Sequence, residues 1–211
     1  VSGSGAAVGQ RAVSTTGPVL IIGSGLLGAS LGLALRAGGV RVYLEDASPT
    51  SLRLASDVGA GEAFGDVLAD ASVRRAECGS DHPGYEAPRL VVVATPPDVA
   101  DRVIVESLLR FPDAIVTDVA SVKDAVVADV LSGLEAEGAS EASSRYVGSH
   151  PMAGRERSGA GAADADLFYG RPWVIVAHES TWPRAVLVAR ALATDVGAVP
   201  MEMNAGTHDH A

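Results

Sequence analysis

Four short runs dominate this chain: VLII at 19–22, LVVVAT at 90–95, AIVTDV at 114–119 and WVIVA at 173–177. They are too short for buried helices and rich in β-branched strand formers. Runs apolar at nearly every position belong to strands covered on both faces, and between them lie segments with helical spacing. This alternation predicts α/β architecture with a doubly wound, mainly parallel sheet. Strands are expected at 19–23, 41–46, 90–95, 114–119, 146–149 and 173–177, and helices at 26–37, 49–58, 98–109, 122–137 and 183–196. Pro49 and Pro183 stand at favourable first-turn positions. Residues 66–89 show no clear period and read as a partly helical excursion followed by a surface loop.

Composition supports this and narrows the partners. Of 211 residues, 47% are hydrophobic and only 4% aromatic, so an ordinary core is available and must be aliphatic. Sixteen basic residues against 26 acidic leave a net charge of -10, which repels nucleic acid and anionic membrane. Lys123 is the only lysine, so its position invites attention. The lone Cys78 forms no internal disulfide, and no helical apolar stretch reaches the length of a membrane span. Cytoplasmic localisation is the expectation. Residues 1–17 lack the apolar region of a signal peptide and read as a flexible tail, followed by one domain over 18–200.

The first strand runs directly into Gly23-Ser24-Gly25-Leu26-Leu27-Gly28, and an apolar helix follows. That string is weak alone in a chain with 24 glycines, but a strand before it and a helix after it are what a Rossmann-type dinucleotide fold requires. Gly23 permits the tight turn, Gly25 admits the diphosphate to backbone N–H groups, and Gly28 allows close helix packing. The helix N-terminus then faces the anion. Asp46 stands 18 positions beyond Gly28, near the spacing of roughly 20 residues for a carboxylate on the ribose 2′-OH, which favours NAD. Strand register decides whether Asp46 or Glu45 turns inward; Asp46 is preferred because it ends the strand. Thr95-Pro96-Pro97 closes the next strand at the edge where ligands bind.

Two further segments bear on chemistry. In Thr117-Asp118-Val119-Ala120-Ser121-Val122-Lys123, Ser121 is either a helix cap or a hydroxyl that holds a substrate oxygen or the nicotinamide amide. Asp118 is placed to orient the loop, and Lys123 reads equally as helix-surface charge. In Gly148-Ser149-His150-Pro151-Met152-Ala153-Gly154, Pro151 biases His150 toward extended backbone. His150 is the candidate general base, since imidazole titrates near neutral pH and can accept an alcohol proton as hydride leaves the same carbon. The remaining histidines, His82, His178, His208 and His210, form no metal-ligand spacing, so no metal is expected.

Taken in order, GSGLLGASLGLAL, ATPPDV, TDVASVK, GSHPMAGRERSGAGAADADLFYGRPWVI and MNAGTHDHA resemble the prephenate dehydrogenase family and its arogenate-using relatives, across nearly all of 19–211. The resemblance implies NAD-dependent oxidative decarboxylation of prephenate or arogenate in tyrosine biosynthesis. It places His150 as the group that takes the ring hydroxyl's proton, and Ser121 as the one that helps orient that hydroxyl and the cofactor. It also implies a homodimer whose interface comes mostly from a helical domain. Residues 201–211 would then be a linker or the first residues of that domain, with the present chain as the cofactor-binding portion. Ala120 departs from the glycine common in this segment, and Arg155 and Arg157 add charge around Glu156. Two other readings stay open: another NAD(P)-dependent dehydrogenase of the hydroxyacid or imine-reducing type, and a non-catalytic NAD-sensing module.

Overall fold

The computed structural model describes residues 13–70, 85–153 and 159–203. Eight strands form one sheet: β1 (Val19–Ile22), β2 (Val42–Glu45), β3 (Glu62–Ala63), β4 (Leu90–Val93), β5 (Ile115–Asp118), β6 (Tyr146–Pro151), β7 (Pro172–Val176) and β8 (Val199–Met203). Their order is β3-β2-β1-β4-β5-β6-β7-β8. Strands β1 to β6 run parallel, β7 pairs antiparallel with β6, and β8 runs parallel to β7. The chain leaves β1 toward β2 on one side and returns to β4 on the other. A crevice therefore opens at the carboxyl ends of β1 and β4, where such sheets bind ligands.

Helices α1 (Leu26–Ala37), α2 (Pro49–Asp57), α4 (Pro97–Arg110), α5 (Asp124–Ala136) and α6 (Pro183–Asp195) connect the strands, with a further helix, α3, over residues 64–70. Side-chain alternation divides each strand between two cores. Val19, Ile21, Val42, Leu44 and Val92 face α1 and α6 in one cluster. Leu20, Tyr43, Val91, Val93 and Val116 face α4 and α5 in the other. Covering both faces explains why the strand runs are apolar throughout.

The doubly wound α/β sheet is as expected, with local corrections. Strands β3 and β8 were missed: the first is two residues long, and the second is mostly exposed, so neither forms an apolar run. The expected boundary at residue 200 falls inside β8, which carries the sheet to Met203. The 66–89 excursion begins as α3, and its residues 71–84 lie outside the described set. The tail expected at 1–17 is tied down over its last residues. Both N–H groups of Ser14 and Thr15, and the Thr15 hydroxyl, donate to the Asp195 carboxylate. Among the described residues no helix is long and apolar enough to cross a membrane.

Candidate active site

The three glycines of the first turn are required for three different reasons. Gly23 has φ +103°, and a Cβ there would stand 2.5 Å from the Ala94 carbonyl oxygen, so the turn presses on the end of β4. At Gly28 a Cβ would stand 1.9 Å from the Gly23 oxygen, so the helix closes onto its own turn more tightly than any side chain allows. A Cβ at Gly25 would meet nothing within 4 Å. There glycine leaves space beside the first N–H groups of α1, which has no side-chain cap and no acidic residue in its first turn. The Leu26 and Leu27 side chains are partly buried and pack against the core.

Two buried hydroxyl oxygens at this edge, Ser24 Oγ and Thr95 Oγ1, have no hydrogen-bond partner. Buried polar atoms are rarely left unpaired, and these two belong to the glycine turn and to the segment that follows β4. Uncapped helix amides, an open glycine and unpaired hydroxyls together fit a diphosphate.

Asp46 turns toward this loop. Its carboxylate accepts from Ser24 N–H at 2.6 Å and Ser48 N–H at 2.7 Å, joining the end of β2 to the glycine turn. Glu45 points instead to the α4 face and pairs with Arg110 at 2.9 Å. Register thus places Asp46 at the glycine turn and Glu45 at the α4 face. Beside Glu45 a cavity of about 460 Å³ opens between the ends of β1 and β2 and α4, lined by Ile22, Ala47, Thr95, Pro96, Arg102 and Arg110 among others. That volume is within the range of small-molecule sites. Pro96 and Pro97 do more than end β4: they occupy the cap and first turn of α4. The Glu45–Arg110 pair carried no sequence signal, because its members lie 65 positions apart.

At the end of β5, Asp118 is fully buried. Its Oδ1 accepts from Ala120 N–H at 2.8 Å and pairs with the Lys123 ammonium, while Oδ2 accepts from the Tyr146 hydroxyl at 2.8 Å. Ser149 Oγ donates to the Asp118 carbonyl at 2.6 Å and accepts from Thr117 Oγ1. Burial, reinforced by the adjacent Asp118 carboxylate, pushes the Tyr146 phenol well above its ordinary pKa. Lys123 is fully buried, which corrects the surface-charge reading; its being the only lysine was the one available hint. Tyr146 was not anticipated.

Helix α5 begins at Asp124, later than expected, and its cap position is Lys123 with no side-chain cap bond. Ser121 is therefore not the cap; it lies exposed in the turn between β5 and α5. His150 is half-buried on β6, opposite Val174 of β7, in the extended backbone expected before Pro151. Through Ser149 and Ala120, the residues preceding His150 and Ser121 both bond to Asp118. His178, not assigned a role, donates from Nε2 to the Ser143 carbonyl and stacks on Tyr146; burial lowers its pKa. Arg155, Glu156 and Arg157 lie outside the described residues.

A glycine turn, a strand-end carboxylate and a crevice at the sheet's topological switch define a Rossmann-type nucleotide-binding domain. A family profile described as prephenate dehydrogenase, nucleotide-binding domain, matches residues 31–202, and the chain belongs to that family. The match begins beyond the glycine turn, so the two observations are separate. The chain is 39% identical over 192 residues to probable prephenate dehydrogenase NovF of Streptomyces niveus, covering 91% of this chain and 46% of that one. With the prephenate dehydrogenase of Bacillus subtilis it shares 28% over 196 residues, covering 90% and 47%. It thus spans about half the length of these curated relatives. The crystal structure of Aquifex aeolicus prephenate dehydrogenase in complex with hydroxyphenyl propionate and NAD+ superposes with a TM-score of 0.74 at 27% identity, covering 95% of this chain and 64% of that one.

Proposed function

We propose that this chain is the coenzyme-binding portion of an NAD-dependent dehydrogenase that oxidatively decarboxylates prephenate or arogenate in tyrosine biosynthesis. Family membership supports the reaction class. The observation that carries the coenzyme is the open space at Gly25 at the uncapped start of α1, on a turn whose Ser24 hydroxyl, like that of Thr95 after β4, is buried and unpaired. Gly23 to Gly28 receive the diphosphate, and Asp46 uses its remaining lone pairs for the ribose hydroxyls. The cavity along Thr95 and Pro96, at the head of α4 with Pro97, takes the adenosine end. Bound there, NAD supplies a hydride acceptor.

The chain's own residues do the rest. His150 accepts the proton of the ring hydroxyl as the carbinol C–H electrons depart, and Ser121 orients that hydroxyl or the nicotinamide amide. Loss of carbon dioxide leaves an aromatic ring, which drives the reaction. The acidic surface and lone cysteine favour a cytoplasmic protein, and the family resemblance favours a homodimer of the whole protein.

Changing His150 to Asn in the whole protein tests the assignment. Turnover with prephenate or arogenate should fall by about 10² or more, while calorimetric NAD+ affinity stays within about twofold. Unchanged turnover would refute the role of His150, and no heat from NAD+ with the unaltered chain would refute the coenzyme.

A further inference from the structure

We propose that Tyr146 and Lys123 are positioning residues, which clamp the buried Asp118 carboxylate and so hold the Ser121 turn against the nicotinamide half of the bound coenzyme. This rests on the dehydrogenase reading above. Ser121 and Val122 are exposed and precede α5, so helix hydrogen bonds do not fix them. The residues on either side of them, Ala120 through its N–H and Lys123 through its ammonium, both bind Asp118 Oδ1. The turn is therefore closed on a single oxygen. Tyr146 holds Oδ2 and stops the carboxylate from rotating.

The strand ends beside it carry no charge. In register with Asp118 are Val93 of β4 and, beyond that, Ile22 of β1, both apolar. A buried ion pair carries a desolvation cost, and apolar residues of similar volume often hold a core as well. Strand β6 packs directly against the cluster. At Gly148 a Cβ would stand 3.4 Å from Lys123 Cδ and 3.5 Å from the Tyr146 oxygen. The position of the turn accounts for its target. With the diphosphate on the β1 turn and adenosine in the cavity beside β2, the other half of the coenzyme runs toward the ends of β4 and β5.

The test is calorimetric titration of NAD+ and of ADP-ribose, which lacks nicotinamide, into this chain, its Tyr146→Phe and Ser121→Ala variants, and the double variant. Each single change should weaken NAD+ about fivefold, the equivalent of one hydrogen bond, and the double variant no further. ADP-ribose should bind all four within about twofold. Multiplied losses in the double variant, a parallel loss for ADP-ribose, or unaltered NAD+ affinity in either single variant would overturn the proposal. So would an unaltered chain that binds ADP-ribose as tightly as NAD+. Binding of neither ligand would instead overturn the coenzyme reading itself. Circular dichroism melts report folding, and if Tyr146→Phe unfolds, Lys123→Met takes its place with the same readings.

Discussion

Gly25 and Gly28 stand three positions apart, and the space around each sets opposite outcomes for the same substitution. Alanine at Gly25 meets nothing within 4 Å, and its φ of -70° suits any residue. Unfolding free energy should change by no more than about 0.5 kcal/mol, while NAD+ affinity falls about tenfold or more because the methyl takes the ligand's place. Alanine at Gly28 drives a Cβ into the Gly23 carbonyl, and urea unfolding should show a loss of about 3 kcal/mol. Equal effects at both positions would contradict this division of labour. The motif identified all three glycines from spacing alone. It also assigned the ligand's approach to Gly25 and the turn and packing to Gly23 and Gly28; the atoms each would meet depend on what the rest of the chain brings nearby.

At the scale of elements, the joint between α4, β5 and β6 depends on one guanidinium. Arg145 donates to the carbonyls of Leu108, Phe111 and Ala114 at 2.8–3.0 Å, pinning the end of α4 and the entry to β5 just before β6 begins. Burial lowers its pKa, and the three carbonyls compensate the charge. Replacing Arg145 with Met keeps the stem but leaves those carbonyls unpaired, and chemical denaturation should register a loss of about 3 kcal/mol. A change below about 1 kcal/mol would show that water pairs the carbonyls instead. The elements themselves were mostly legible, since four strands are apolar runs and five helices carry periodic faces. Strand β8 was not legible: it is a mostly exposed edge strand with a proline, and its pairing to β7 lies in tertiary contacts. The late start of α5 had the same origin, because Lys123 is drawn into the core by Asp118 and does not join the helix.

At the scale of the whole molecule, the buried Asp118–Lys123–Tyr146 cluster ties stability to pH. The Tyr146 phenol is raised above its ordinary value by burial and by Asp118, whereas in the unfolded chain it titrates near pH 10. Below about pH 10 both states are protonated and the contribution is intact. Above it the unfolded chain releases the proton while the folded one retains it, so stability falls as pH rises. Urea midpoints measured near pH 9 and about pH 10.5 should decline more for the unaltered chain than for Tyr146→Phe. Equal declines would place the alkaline sensitivity elsewhere.

The sequence alone determined the sheet and the glycine turn, and it made Asp46 and His150 candidates, because apolar periodicity, glycine spacing and proline are local properties of the chain. Tertiary structure decided that Glu45 pairs with Arg110, that Lys123 is buried, and that Ser121 lies in an open turn. Those outcomes depend on which distant residues meet at the sheet's carboxyl edge. Desolvation and ion pairing act between groups that share space, whatever their separation along the chain.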